Sequence, residues 1–115
     1  MEDNDELWAL EERIWTGGAD SAREITAQGA VVVVPYPSAI LQGDALWKDE
    51  AAIQRWRSVE FSGRVLTRKD DIAVLAYRVS AEREGAPIYE ALCASTYLHD
   101  NGDWLRMSHQ QTPVT

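Results

Sequence analysis

The sequence has little cysteine, a deficit of positive charge and no long apolar run. Cys93 is the only cysteine among 115 residues, so no disulfide can form within one chain and no cluster of cysteines can hold a metal. Lys and Arg total 11 against 19 Asp and Glu, and the resulting net charge of −8 disfavours nucleic acid and anionic membranes as partners. No apolar stretch approaches the length of a bilayer-spanning helix.

Signals for targeting and for cofactor binding are also missing. The N-terminal stretch MEDNDELW lacks the basic region and apolar segment of a secretory signal, which together with the single cysteine predicts a cytoplasmic protein. Gly17-Gly18 has neither the spacing nor the Lys of a phosphate-binding loop. The two histidines, His99 and His109, are expected on opposite sheet faces, which argues against a metal site. We therefore expect neither a cofactor nor a bound metal.

What is present suits one domain spanning residues 1–115. Hydrophobic residues make up 45% of the chain and include five Trp, which is enough for a packed core. The first half has helical periodicity and the second half has strand periodicity. This segregation predicts an α+β fold rather than alternating α/β units.

Three helices and a valine-rich strand are predicted in the first half. NDELWALEERIWTGG places Leu7, Leu10 and Ile14 on one helical face and ends at two glycines. ADSAREITAQG predicts a second short helix that ends before Gly29. AVVVVPY predicts a buried strand, ILQG a short extended piece, and ALWKDEAAIQRW a third helix capped by Asp44.

Four strands of an antiparallel meander are predicted in the second half. They are SVEFSGRVLTR, DIAVLAYRVSAERE, PIYEALCASTYLH and WLRMSHQQT. Asn101-Gly102 is the strongest hairpin signal, and a two-residue turn there pairs Leu98 with Leu105. A similar turn near Gly85-Ala86 would pair Tyr77 with Ala94 and Val79 with Leu92.

These pairings assign side chains to the two sheet faces. The predicted inner face, which should meet the helices, comprises Leu75, Tyr77, Val79, Leu92, Ala94, Thr96, Leu98, Leu105, Met107, His109 and Gln111. The predicted outer face comprises Arg78, Cys93, Ser95, Tyr97, Trp104, Arg106, Ser108 and Gln110. A slip of one residue would exchange the faces. We expect a homodimer through the outer face, using Arg78, Cys93, Ser95, Tyr97, Arg106 and Ser108.

The order of these elements resembles the nuclear transport factor 2-like superfamily, and specifically its uncharacterised SnoaL-like and ketosteroid-isomerase-like branch. The resemblance rests on LWALEERIWTGG, VVVVPYPSAIL, VEFSGRVLTRKDDIAVLAYRVSAEREG, YEALCASTYLHDNGDW and the terminal HQQTP, which together cover nearly the whole chain. It implies a cone in which N-terminal helices close one face of a strongly bent, mostly antiparallel sheet around an apolar pocket. Many members dimerise through the other sheet face.

The resemblance leaves the activity open, because this fold hosts many functions. Ketosteroid isomerase uses an Asp base with Tyr and protonated Asp donors. The first helix offers Trp8 and Trp15 but no tyrosine, the valine strand offers no carboxylate, and the predicted inner face offers no aspartate. An Asp-Arg-Asp arrangement like that of epoxide-hydrolase relatives finds only Glu60, Arg78 and Glu90, of which Arg78 and Glu90 are predicted to point to opposite faces and to be exposed.

Candidate site residues lie at the apolar inner face and its mouth. The expected ligand contacts are Tyr36, Trp47, Trp56, Tyr77, Leu92, Met107, His109 and Gln111. The catalytic candidates are His109, as an acid or base, and Tyr77, as a phenol donor. For each residue the alternative is packing with its polar end satisfied. Cys93, predicted on the face opposite His109, is not expected to act as a nucleophile.

Three functions are consistent with this pattern. The first is a cone domain that binds a small apolar or aromatic molecule. The second is an enzyme of the isomerase, cyclase or dehydratase type that uses His109 and Tyr77. The third is a homo-oligomeric association module without a ligand.

Overall fold

The computed structural model describes residues 2–35, 38–48 and 56–114. Three helices, α1 (Glu2–Thr16), α2 (Ala19–Ile25) and α3 (Ala45–Lys48), accompany six strands. The strands are β1 (Thr26–Pro35), β2 (Ser38–Gln42), β3 (Ser58–Lys69), β4 (Ile72–Glu82), β5 (Tyr89–Asp100) and β6 (Asp103–Pro113). The predicted α+β class is confirmed. Residues 49–55 of the predicted third helix and the predicted mouth residue Tyr36 lie outside the described residues.

The strands form one sheet in the order β2-β1-β6-β5-β4-β3. Among the described strands, β1 and β6 pair in parallel and the other neighbours are antiparallel. The predicted meander is therefore β3 to β6, and β1 and β2 extend it beside β6. The segment ILQG, predicted as a short extended piece, belongs to the edge strand β2.

The second helix ends earlier than predicted, at Ile25. Thr26 adopts extended backbone angles, and its hydroxyl donates to the carbonyl of Ala22 at 2.6 Å, which satisfies a terminal helix carbonyl. β1 therefore begins at Thr26, upstream of the valine run.

The hairpin between β5 and β6 has the predicted turn but not the predicted register along its whole length. Asn101 and Gly102 both have positive φ, and Leu98 faces Leu105 as predicted. Tyr97 pairs with Arg106 whereas Thr96 pairs with Ser108, so Met107 is an extra residue that forms a β-bulge.

The register between β4 and β5 was predicted wrongly by one residue. Tyr77 pairs with Cys93 and Val79 pairs with Ala91. The reason is the connection, which runs over residues 83–88 instead of a two-residue turn. Because side chains alternate along a strand, this shift exchanges the faces of the whole of β5.

The inner face of the sheet therefore differs from the predicted one. β5 directs Cys93, Ser95 and Tyr97 toward the helices, and Leu92 is 53% exposed on the outer face. On β6, Trp104 and Arg106 point inward before the bulge, and His109 points inward after it. The predicted outer positions of Cys93, Ser95, Tyr97, Trp104 and Arg106 are wrong, as are the predicted inner positions of Leu92, Ala94, Thr96, Leu98 and Leu105.

The core lies between α1, α2 and this inner face. One cluster of buried residues comprises Leu7, Ile25, Ala73, Leu75, Tyr97 and Trp104, and a second comprises Trp15, Tyr77, Val79, Ala81, Ala91 and Cys93. Leu7 and Trp15 lie on the same stripe of α1, eight residues apart, and each belongs to a different cluster. The residue halfway between them on this stripe is Glu11.

Candidate functional site

Glu11 is a fully buried carboxylate at the centre of the fold. Its side chain is 0% exposed, and donors from three strands surround it. Ser95 donates to Oε2 at 2.6 Å, Tyr97 donates to Oε1 at 2.7 Å, and Tyr77 donates to Oε2. The guanidinium of Arg106 lies 3.4 Å from Oε2 and supplies the balancing positive charge. Such a buried charge is tolerated only with this kind of pairing and hydrogen bonding.

The surroundings keep Glu11 ionised. Burial alone would raise the pKa of Glu11, but the charge of Arg106, the interactions with His109 and the hydrogen bond from Ser95 together hold this pKa well below its usual range. Burial and the negative charge of Glu11 raise the pKa of Tyr77 and the pKa of Tyr97 well above their ordinary values. The two phenols therefore stay protonated and serve as donors to the carboxylate.

His109 adjoins this cluster and is 4% exposed. Its Nδ1 lies 2.6 Å from the Ser95 hydroxyl and 3.5 Å from Oε2 of Glu11. Burial and the positive charge of Arg106 lower the pKa of His109 below its ordinary value, and the hydrogen bond and charge of Glu11 offset this only in part. His109 is therefore a neutral imidazole. Its acidic neighbour, Glu11, was not predicted from the sequence.

Gln111 links His109 to the surface. Its Nε2 lies 3.1 Å from Nε2 of His109, and its Oε1 accepts a hydrogen bond of 3.0 Å from the hydroxyl of Tyr89. Tyr89 in turn stacks on Trp56, with ring centroids 5.7 Å apart and planes inclined by 18°. Trp56 is also near Trp15, at a centroid distance of 6.3 Å. Polar contacts and aromatic rings thus connect the buried cluster with the start of β3.

A groove lies beside Gln111, between β1, β2 and β6. Its volume is about 460 Å³. The lining residues are Val33, Val34, Pro35, Ser38, Ala39, Ile40 and Gln111. Apart from Ser38 and Gln111, these side chains are apolar, and Ile40 at the rim is 76% exposed.

The predicted site residues fall into separate groups. Tyr77, His109 and Gln111 lie together around Glu11, and Trp56 reaches them through Tyr89. Trp47 instead packs beneath Arg23, whose Cζ lies 5.0 Å from the ring centroid.

Two further predicted contacts lie away from this cluster. Leu92 is on the outer face, and Met107 is the half-buried bulge residue. The ligand contacts expected of all these residues, and the catalytic roles of His109 and Tyr77, stay predictions.

The predicted dimer surface needs correction. Cys93, Ser95, Tyr97 and Arg106 are buried among the helices, so they cannot form an outer surface. Arg78 is exposed, and Ser108 pairs with Thr96 on the outer side of the sheet. The large exposed apolar residues described on the outer face are Val65, Ile72, Val74 and Leu92.

Two predictions about charged and nucleophilic groups had mixed outcomes. Arg78 and Glu90 are exposed as predicted, but they lie on the same face, not on opposite faces, and form an ion pair at 3.1 Å. Cys93 lies on the same inner face as His109, which also contradicts the prediction. Burial and the charge of Glu11 raise the pKa of its thiol to about 12, so a thiolate nucleophile is disfavoured.

Glu11 is the residue that sequence reasoning missed. It follows Leu7 by four positions and precedes Trp15 by four, so it falls within the apolar stripe of α1. A charged residue within such a stripe is a detectable signal of a buried polar site.

Residues 2–35, 38–48 and 56–114 contain no group of three His, Cys, Asp or Glu side chains that could hold a metal. Over the same part of the chain, no helix has the length and apolar character needed to cross a membrane.

No family model matches the chain, and no curated protein matches it in sequence. Solved structures match the fold closely. A candidate ketosteroid isomerase from Parabacteroides distasonis superposes with a TM-score of 0.81 at 13% identity, covering 95% of this chain and 86% of that one. An NTF2-like protein from Cytophaga hutchinsonii gives a TM-score of 0.80 at 12% identity, covering 99% and 100% of the two chains. The association domain of C. elegans CaMKII gives 0.73 at 12% identity, covering 96% and 92%.

The predicted nuclear transport factor 2-like fold is confirmed by these similarities. Structures with this fold include proteins described as a candidate ketosteroid isomerase and as association or hub domains. The similarity therefore shows the fold and leaves the activity open, because one fold hosts many functions.

Proposed function

We propose that this domain binds a small, mainly apolar molecule in the groove between β1, β2 and β6, with Gln111 as its principal polar contact. The observation that carries the proposal is an apolar groove with one internally anchored amide. Tyr89 and His109 hold the two ends of the Gln111 amide, so its orientation is set before any ligand arrives. A volume of about 460 Å³ lies in the range of small-molecule sites.

This proposal moves the ligand away from the position predicted beside Tyr77 and His109. Those side chains are 3% and 4% exposed, and protein groups already occupy their hydrogen-bonding atoms. The interior around them is filled by Glu11 and its partners. The groove instead offers exposed apolar surface next to the polar network.

A fluorescent probe tests the proposal. N-phenyl-1-naphthylamine is apolar and uncharged, and its emission rises when it leaves water. Ile40→Ser removes apolar surface at the groove rim. The Kd of the probe for this variant should therefore rise about fivefold or more, which corresponds to the loss of one apolar side chain from the contact. Ile88→Ser is the matched control, because Ile88 is 60% exposed but does not line the groove. Equal effects of the two substitutions would refute the site.

A second candidate function is self-association through the outer sheet face. The favouring observation is that Val65, Ile72, Val74 and Leu92, between 39% and 60% exposed, share this face across β3, β4 and β5. The similarity to association domains supports the same candidate. The partner in this dimer is a second copy of the chain, and the contact uses Val65, Ile72, Val74 and Leu92 in place of the surface predicted from the sequence.

Light scattering tests whether the outer face is a dimer interface or only an exposed apolar surface. If the outer face associates, Leu92→Arg should reduce the molar mass to that of one chain. Ile40→Arg should leave the mass unchanged, because Ile40 is even more exposed but lies in the groove. A dimer that persists in Leu92→Arg and Val74→Arg would exclude this interface.

An acid or base function of His109 and Tyr77 stays a prediction, as do the SnoaL-like assignment and the cytoplasmic location. Glu11 supplies the acidic partner that such a histidine requires. A substrate would have to displace Gln111 to reach Nε2 of His109.

A further inference from the structure

A directional chain of hydrogen bonds runs from Glu11 to the groove. The ionised carboxylate can only accept, so the Ser95 hydroxyl must donate to it. The oxygen of Ser95 can then accept from His109, which places the imidazole proton on Nδ1. Nε2 of His109 is left with a lone pair and accepts from the amide nitrogen of Gln111. Each bond fixes the direction of the next.

At the other end of this series of hydrogen bonds, Tyr89 holds the amide of Gln111 in the same orientation. Tyr89 donates its hydroxyl proton to Oε1 of Gln111 at 3.0 Å. The reversed amide would turn its N–H groups toward Tyr89 and its oxygen toward the lone pair of His109. The buried charge of Glu11 therefore sets the polarity of a side chain that lines the groove.

The remaining hydrogen-bonding capacity of Gln111 is unequal. Its carbonyl oxygen already accepts one bond, whereas its second N–H has no acceptor among the described residues. An unmatched N–H is less well tolerated than a carbonyl with one bond. Ser38, the other polar side chain of the groove, is exposed and gives its proton to the carbonyl of Pro35 at 3.1 Å. Water satisfies it readily, so it contributes little discrimination.

We infer that the groove selects apolar, uncharged molecules that carry a hydrogen-bond acceptor oxygen, such as a ketone, and that Gln111 is the residue that determines this specificity. The inference rests on the proposed function, since it concerns the same groove. A ligand carbonyl accepts the second N–H of Gln111, whereas a ligand that only donates leaves this N–H unmatched.

Three bicyclic probes of similar size test the inference. Indane carries no hydrogen-bonding group, indole only donates, and 1-indanone only accepts. Their Kd values are measured from chemical-shift changes of the 15N-labelled full chain. We expect 1-indanone to bind about three- to tenfold more tightly than indane, the ratio that one neutral hydrogen bond gives. Indole should bind no more tightly than indane.

Two variants locate the effect. Gln111→Met keeps a side chain of similar length without an N–H, so the advantage of 1-indanone over indane should disappear. Ser38→Ala is the matched control and should retain the advantage. The order of the three probes with the unaltered chain needs no variant, so the inference stays testable if Gln111→Met folds poorly.

The possible failures are distinguishable. Equal binding of indane and 1-indanone, or a preference for indole, overturns the inference and leaves the proposed function standing. A preference for 1-indanone that persists in Gln111→Met also overturns it. If none of the probes binds, the proposed function fails and the inference fails with it.

Discussion

Replacement of Glu11 by glutamine should destabilise the fold strongly, although the two side chains have almost the same shape. The substitution removes the buried negative charge that balances Arg106, whose side chain is 8% exposed. It also replaces one acceptor oxygen by a donor. If the nitrogen takes the place of Oε2, it faces the donors Tyr77, Ser95 and Arg106; if it takes the place of Oε1, it faces Tyr97.

The expected loss follows from the unpaired charge. Breaking a buried ion pair by removing one partner costs about 3–5 kcal/mol. Since domains of this size unfold with roughly 5–15 kcal/mol, this is a large share of the total. Urea unfolding followed by circular dichroism should therefore show a midpoint lower by about 2 M, given a slope of roughly 1–2 kcal/mol/M.

Two controls make the result specific. Glu12→Gln changes the neighbouring, exposed residue of the same helix and should alter stability by no more than about 0.5 kcal/mol. Glu11→Gln combined with Arg106→Met leaves no unpaired charge, so its loss should be smaller than the sum of the two single losses. A loss below about 1 kcal/mol for Glu11→Gln, or strictly additive losses, would refute the reasoning.

Three further predictions concern titration, reactivity and the hairpin. As pH falls below about 6.5, His109 in the unfolded chain gains a proton, whereas folded His109 with its lowered pKa does not. The free energy of unfolding should therefore decline, and His109→Gln should flatten this decline in urea titrations. Below about pH 4.3 the lowered pKa of Glu11 adds a second decline of the same sign. Burial raises the pKa of the Cys93 thiol to about 12, so little thiolate is present at pH 8 in the folded protein. Cys93 should therefore react with 5,5′-dithiobis(2-nitrobenzoate) roughly a thousandfold more slowly in the folded protein than in urea. Equal rates would contradict its burial. Gly102→Ala should cost about 1 kcal/mol in thermal unfolding, and Gly102→Asn less, because φ at this position is +84° and Asn tolerates that region better.

Sequence reasoning succeeded where local chemistry decides the structure. Asn101-Gly102 specifies a two-residue turn with positive φ at both positions, and the adjoining pair of Leu98 and Leu105 follows from it. The periodicity of α1 likewise predicts which helical face is buried. Both signals lie within a few residues of the structure they determine.

Sequence reasoning failed where a shift of one residue decides which side chains of a strand face the helices. The connection after Glu82 is not a two-residue hairpin turn that would fix the register of β5, and the bulge at Met107 has no residue pattern of its own. Glu11 was missed for another reason. Its partners lie as many as 95 positions away in sequence, so only the assembled sheet reveals that its charge is matched.

The bulge at Met107 makes the spacing of β6 matter more than the chemistry of the bulged residue. On a regular strand, positions three apart face opposite sides, yet Arg106 and His109 both reach Glu11 because one extra residue lies between the two phases of the strand. Substitution of Met107 leaves that count unchanged, whereas its deletion would turn His109 and Gln111 to the outer side while keeping the Asn101-Gly102 turn. The number of residues at this point of β6 therefore determines which of its later side chains reach the interior.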